Sequence, residues 1–166
     1  MNPFRASFRT QFLLGFLACA GLLAYAFYSQ LVGGLEPCPL CIFQRVAVVA
    51  LGVVFLIGGL HAPTGRGGRR SYGALAVIAG GAGIAIAWRH VWLQNLPPSE
   101  VPTCGPGLDY MLEAMPISGV VRKVLTGSGE CASVDWTLFG LSMPAWTLVC
   151  FIVLAAWAAF AALRRA

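Results

Sequence analysis

Four long apolar runs, each free or nearly free of charge, decide most of what this chain can become. Phe12 to Leu31 and Tyr72 to Trp88 contain no charged residue, and Cys41 to Leu60 contains only Arg45. The last uncharged run extends from Trp136 to Leu163, and its crossing part is placed from Pro144 onward. A helix needs about 20 residues to traverse the hydrocarbon core of a bilayer. The chain is 58% hydrophobic and 10% charged over 166 residues, whereas a soluble domain is roughly a quarter charged. So few charges cannot cover a water-facing surface, and the surplus apolar area has to meet lipid. The expected fold is an all-α membrane protein, a four-transmembrane-helix bundle forming a single membrane domain over 1–166, with spans at 12–31, 41–60, 72–88 and 144–163. Glycine pairs such as Gly58-Gly59 and Gly80-Gly81 suit close helix packing in lipid.

Orientation follows from the positive charges, which favour cytoplasmic segments. Arg5 and Arg9 precede the first span, Arg66, Arg69 and Arg70 follow the second, and Arg164 and Arg165 follow the fourth. No acidic residue lies among them. Both termini and the middle loop are therefore expected in the cytoplasm. The net charge of +5 reads as a topology signal and gives no support to nucleic-acid binding. A cleaved signal peptide is the rival reading of the first run, since Ala24-Tyr25-Ala26 resembles a cleavage site. The apolar run continues past it to Leu31, which favours a retained span.

Two outer segments remain, a short one at 32–40 and a long periplasmic loop at 89–143. The long loop has turn signals at Leu96-Pro97-Pro98, Cys104-Gly105-Pro106-Gly107 and Gly127-Ser128-Gly129. Between them, Leu108 to Leu125 has apolar residues suited to a short interfacial helix, interrupted by Pro116 and Gly119.

The cysteines sharpen this picture. Cys38 and Cys41 form a Cys-x-x-Cys pair at the start of the second span, and Cys104 and Cys131 lie in the long loop. All four fall on the exported side, where disulfides persist. Cys19 and Cys150 fall inside spans one and four and read as buried, unpaired fillers. In a Cys-x-x-Cys pair one thiol can resolve a mixed disulfide formed by the other. Cys41 opens a helix, whose free amides and positive dipole end favour a thiolate. Arg45, one turn later on the same face, adds a fixed positive charge. That thiolate lies at the edge of the lipid, within reach of a lipid-soluble electron acceptor. Three plainer readings stand beside this one: zinc held by the four outer cysteines, a static Cys104–Cys131 staple, and an Arg45 that merely snorkels to the interface. The second cysteine pair lacks metal spacing, so no metal is expected.

Taken together, these residues resemble the bacterial DsbB family of disulfide bond formation proteins over nearly the whole chain. The resemblance rests on Pro37-Cys38-Pro39-Leu40-Cys41 with Arg45, on His90 followed by Leu93-Gln94, and on Asp135-Trp136, Leu138-Phe139-Gly140-Leu141 and Met143-Pro144-Ala145-Trp146. It implies a protein-dithiol:quinone oxidoreductase of the bacterial inner membrane that reoxidises a DsbA-like periplasmic thioredoxin-fold partner. In that scheme Cys104 is attacked by the partner and Cys131 is its resting disulfide partner. Cys38 and Cys131 join in an interloop exchange, and Cys41 faces the quinone with Arg45 beside it. The cofactor implied is a membrane quinone, ubiquinone or menaquinone, with His90 as a further cofactor-binding candidate. Gln44 stands where some relatives carry an acid, which leaves Arg45 without that local partner. Two other classes compete. One is a small membrane scaffold or transporter subunit with structural outer disulfides. The other is an enzyme like vitamin K epoxide reductase, whose quinone-facing cysteine pair lies in a late span.

Overall fold

The computed structural model describes residues 7–102, 108–134 and 136–164, except the side chains of residues 108 and 109. Four helices are long and apolar enough to cross a membrane: α1 (Phe8–Leu31), α2 (Pro39–His61), α3 (Arg66–Gln94) and α6 (Met143–Leu163). Between α3 and α6 lie α4 (Leu108–Ala114), α5 (Ile117–Thr126), a 3₁₀ turn at Gly129–Ala132, and a two-stranded hairpin of β1 (Thr137–Leu138) and β2 (Leu141–Ser142). The strands are antiparallel, with Thr137 opposite Ser142.

The four long helices pack α1 on α2, α2 on α3 and α3 on α6, and a smaller α1–α6 seam closes the bundle. Phe12, Leu51, Phe55, Ala76, Phe151 and Ala158 form the centre of this interior. Small residues set the approach distance. A side chain at Gly73 would collide with Ala162, one at Gly83 with the Phe151 ring, and a Cβ at Gly80 would come within 3.0 Å of Ala155 Cβ. With no hydrophobic drive between helices in lipid, such close backbone contact supplies the van der Waals attraction. The pairings of Gly58 with Phe12 and of Gly73 with Ala162 place the start of α1 and the end of α6 at one end of the bundle. Cys41 and His90 lie at the other.

A second, smaller core covers that other end. Leu40, Leu93, Met111, Val120, Val124 and Cys131 are buried together. The amphipathic α5 closes this cap by turning Val120 and Val124 inward.

Three local features differ from the expectations above. Helix α3 runs on to Gln94, past the Trp88 at which the uncharged run stops. Its polar extension is held by protein partners: Arg89 donates to the carbonyls of Leu125 and Thr126, and Asn95 donates to Val91. Helix α2 begins at Pro39 with Cys38 as its N-cap, so Cys41 lies within the first turn and does not open the helix. Proline suits that first position, because its fixed φ is helical and its missing N–H would have no helical partner. Of the two interruptions expected between Leu108 and Leu125, only Pro116 acts, separating α4 from α5. Gly119 is inside α5, where its cost is no more than a weak helix propensity.

Candidate functional site

The centre of the site is the Cys38 sulfur. Helix α2 presents Cys38 at its cap and Cys41 one turn on, with the two Sγ atoms 3.2 Å apart. That exceeds a bonded S–S distance of about 2.05 Å, so these are two thiols in contact. On its other side Cys38 meets residues from two further elements. His90 of α3 brings its Nε2 to 3.7 Å from Cys38 Sγ. Cys131, on the 3₁₀ turn, completes a trio in which the Cys38, His90 and Cys131 donor atoms all lie within 4.8 Å of one another.

Cys131 is held there by the cap. Gln94, at the end of α3, donates through Nε2 to the Ser133 carbonyl at 3.3 Å and accepts from Ser142 Oγ at 2.6 Å. One side chain thus ties the 3₁₀ turn and the start of α6 to α3. Gly127 turns the chain from α5 toward Cys131 with φ of +91°, and a Cβ there would collide with Leu93. Both the conformation and the close approach require glycine. Arg89 caps the carbonyl end of α5 and stacks over Trp92 at 4.1 Å. The Cys131 thiol is buried, and its pKa is pushed well above the usual thiol range, first by its hydrogen bond to Cys38 and then by burial. In the reduced protein it keeps its proton at neutral pH.

Beside Cys41 a cavity of about 190 Å³ opens between α1, α2, α3 and α6. Leu22, Val48 and Pro144 give it apolar walls, Trp136 and Trp146 give it aromatic ones, and Cys41 and Arg45 border it. Arg45 donates to Gln30 Oε1 at 2.6 Å and to the Ala26 carbonyl at 3.1 Å, and its guanidinium lies over Phe27. Neutral groups of α1 therefore replace the acidic partner missing at position 44. Gln44 instead meets His90, with Gln44 Nε2 3.0 Å from His90 Nδ1.

Of the residues singled out in the sequence, Cys38, Cys41, Cys131, Arg45 and His90 come together at one end of the bundle. Cys104 lies outside the described residues. His90 is buried, at 2% exposure. Sequence reasoning passed over Gln30, took Gln44 only as a missing acid, and met Gln94 only as part of a family run. A polar residue at helical spacing from the Cys-x-x-Cys pair was the signal available for Gln44. Trp136 and Trp146, which entered the sequence reading only within the family runs, both line the cavity. Cys19 packs against Gly52 within the bundle, and Cys150 borders the cavity. The spacing of Cys38, His90 and Cys131 would admit a soft metal ion. Among the described residues three donors are present, one short of a closed structural zinc set, and two sulfurs in reach of a third match disulfide exchange more directly.

Comparison with known proteins bears on this geometry. The family described as "Disulfide bond formation protein DsbB" matches residues 8–161. A protein of Xanthomonas campestris named "Disulfide bond formation protein B" is 58% identical over 99% of this chain and 96% of its own length. Proteins of the same name from Methylococcus capsulatus and Hahella chejuensis are each 54% identical, covering 91% and 95% of this chain and 92% and 94% of their own lengths.

Proposed function

Because this chain belongs to the DsbB family of membrane disulfide bond formation proteins, we propose that it reoxidises a DsbA-like thioredoxin-fold partner and passes the electrons to a membrane quinone. The observation that carries this reading is the position of Cys38, whose sulfur touches Cys41 at 3.2 Å and shares a 4.8 Å neighbourhood with Cys131. One sulfur within reach of both others is what a hand-over between two cysteine pairs needs.

The relay runs through alternating thiolate attacks. A partner thiolate attacks Cys104 of the Cys104–Cys131 disulfide, forming a mixed disulfide and releasing Cys131 as thiolate. Cys131 attacks Cys38, the Cys38–Cys41 bond breaks, and Cys41 leaves with the electron pair. The partner's second thiolate displaces Cys104, and the partner departs oxidised. Cys104 then attacks Cys131 and expels Cys38, restoring the outer disulfide. Cys38 and Cys41 are left holding the two electrons and re-form their bond as those electrons depart.

When bound, a quinone supplies an acceptor for two electrons and two protons. The cavity suits such a ring, with flat aromatic and apolar walls and one thiol at the edge. The N-terminus of α2 and the Arg45 guanidinium put positive charge beside Cys41, favouring negative charge on its sulfur. Arg45 is anchored by Gln30 and Ala26, so this charge is in place before reaction and needs no reorganisation. His90 also lines the cavity, and with Nε2 3.7 Å from Cys38 Sγ it serves the exchange.

In this reading both termini face the cytoplasm of a bacterium and the cysteine end faces the periplasm across the inner membrane. The arginines near both chain ends and in the α2–α3 loop support that direction. The test is to mix the purified protein with a reduced DsbA-like partner and a water-soluble quinone, following quinone absorbance and partner thiols together. Both signals are expected to fall catalytically, and Cys104→Ser or Cys41→Ser is expected to abolish each. A partner that stays reduced across a panel of partners and quinones would return the outer cysteines to a structural role.

A further inference from the structure

Gln44 and His90 are 4% and 2% exposed, and they meet at the cysteine end of the bundle. Gln44 Nε2 lies 3.0 Å from His90 Nδ1. An amide nitrogen only donates, so Nδ1 accepts and the ring proton resides on Nε2. That nitrogen faces Cys38 Sγ at 3.7 Å. Each member of the series is thereby satisfied, and no buried polar side-chain atom among the described residues lacks a hydrogen-bond partner.

We propose that Gln44 is a positioning residue that fixes His90 as its Nε2–H tautomer, so that the ring presents a hydrogen-bond donor to the Cys38 sulfur whenever that sulfur leaves as a thiolate. This inference rests on the relay proposed above. In that step Cys104 attacks Cys131, the Cys104–Cys131 bond forms, the Cys38–Cys131 bond breaks, and the electron pair goes to Cys38. No proton has to move. The Nε2–H group donates a charge-assisted hydrogen bond to the departing sulfur. The opposite tautomer would turn a nitrogen lone pair toward the thiolate and oppose its formation.

An amide at position 44 makes this donor independent of pH in a way that a carboxylate does not. In the neutral ring Gln44 donates to Nδ1 and Nε2 keeps its proton. In the cationic ring both nitrogens carry protons, Nε2 still donates, and the Gln44 amide oxygen is the group able to accept from Nδ1. A carboxylate can only accept, so a Glu side chain takes the Nδ1 proton. Nε2 then carries a proton only while the ring is a cation. The ionisable groups facing this pair are Cys38 and Cys41 from α2 and Cys131 from the 3₁₀ turn. Among the described residues, Tyr25, Glu36, Arg45, Glu130 and Cys150 also line the adjoining cavity.

Two measurements on the full chain test the proposal, with Gln44→Leu and Gln44→Glu as variants and His90→Phe as a control. The first is the nitrogen-15 spectrum of the His90 ring in the detergent-solubilised protein. The protein is expected to show a protonated Nε2 and a hydrogen-bonded, unprotonated Nδ1. Gln44→Leu is expected to mix the two tautomers, and Gln44→Glu to move the proton of the neutral ring to Nδ1. The second is partner-driven quinone reduction as a function of pH. Gln44→Leu is expected to slow turnover roughly tenfold, the scale of one hydrogen bond to a charged group. Gln44→Glu is expected to match the unsubstituted protein at low pH and fall away as pH rises. An Nδ1–H ring in the unsubstituted protein overturns the proposal, as does a ring spectrum unmoved in both variants. A pH profile for Gln44→Glu superimposable on the original would do the same. Silence of the unsubstituted protein in the quinone assay strikes the relay itself, and the ring spectrum still decides which tautomer Gln44 imposes.

Discussion

In the bundle interior, Phe12, Phe55 and Phe151 pack against glycines and alanines of neighbouring helices, and the buried surface is almost wholly apolar. Around Cys131 the buried set is drawn from the ends of α2 and α3, from α4, α5 and the 3₁₀ turn, and it is tied together by polar side chains. Arg89 caps α5, Gln94 bridges the 3₁₀ turn to α6, and Gln44 meets His90. The bundle needs only that its helices approach closely. The cap has to hold one sulfur at a set place above another, and directional hydrogen bonds do that. Chemistry gathers where the two regions meet, at Cys38, the N-cap residue of α2, which also meets Cys131 of the cap.

This difference yields graded expectations. Cys131→Ser is expected to lower partner-driven turnover by about a thousandfold or more, the scale for losing a nucleophile, while detergent melting of the bundle stays unchanged. A matching fall in melting temperature would mean that cap and bundle form one cooperative unit. Gly83→Leu places a side chain into the Phe151 ring. It is expected to lower bundle stability by about 1–3 kcal/mol, as overpacking does, measured by thermal unfolding in detergent. Gly127→Ala strains a backbone at φ +91° and collides with Leu93. Its cost, about 1–3 kcal/mol, is expected to stay in the cap and to appear as faster alkylation of Cys131 with no change in bundle melting. The smallest effect concerns pH. Because its hydrogen bond to Cys38 and its burial raise the pKa of Cys131, folding favours its protonated form. That contribution is whole below the ordinary thiol value of about 8.5 and fades as pH climbs above it. In the reduced protein, mass-mapped alkylation between about pH 7 and 9 should leave Cys131 nearly untouched. Cys38→Ala, which removes the larger cause, should speed it severalfold.

The same contrast explains what the sequence revealed. The bundle was legible because lipid demands long uncharged runs, and each of the four runs became a helix. The Cys-x-x-Cys pair at the head of α2 was legible because its spacing is local. The rest depends on contacts between residues distant in the chain. Nothing around Arg89, His90 and Gln94 taken alone says that α3 continues, since each finds its partner in the outer segment or on α2. Gln44 read as a missing acid beside Arg45, when its partner is His90 on another helix. Cys131 was linked to Cys38 only through the family resemblance, and its approach to Cys38 depends on the cap folding over α2 and α3.

The most direct measurement is rapid acid quenching of the protein mixed with reduced DsbA-like partner and quinone, followed by disulfide mapping. A Cys38–Cys131 bond should rise within the first turnover and decay as quinone is consumed, and it should be missing from Cys38→Ser. Quinone consumption in step with partner oxidation, with no Cys38–Cys131 bond at any quench time, would show that electrons pass between the pairs by another route and would remove Cys38 from the centre of the relay.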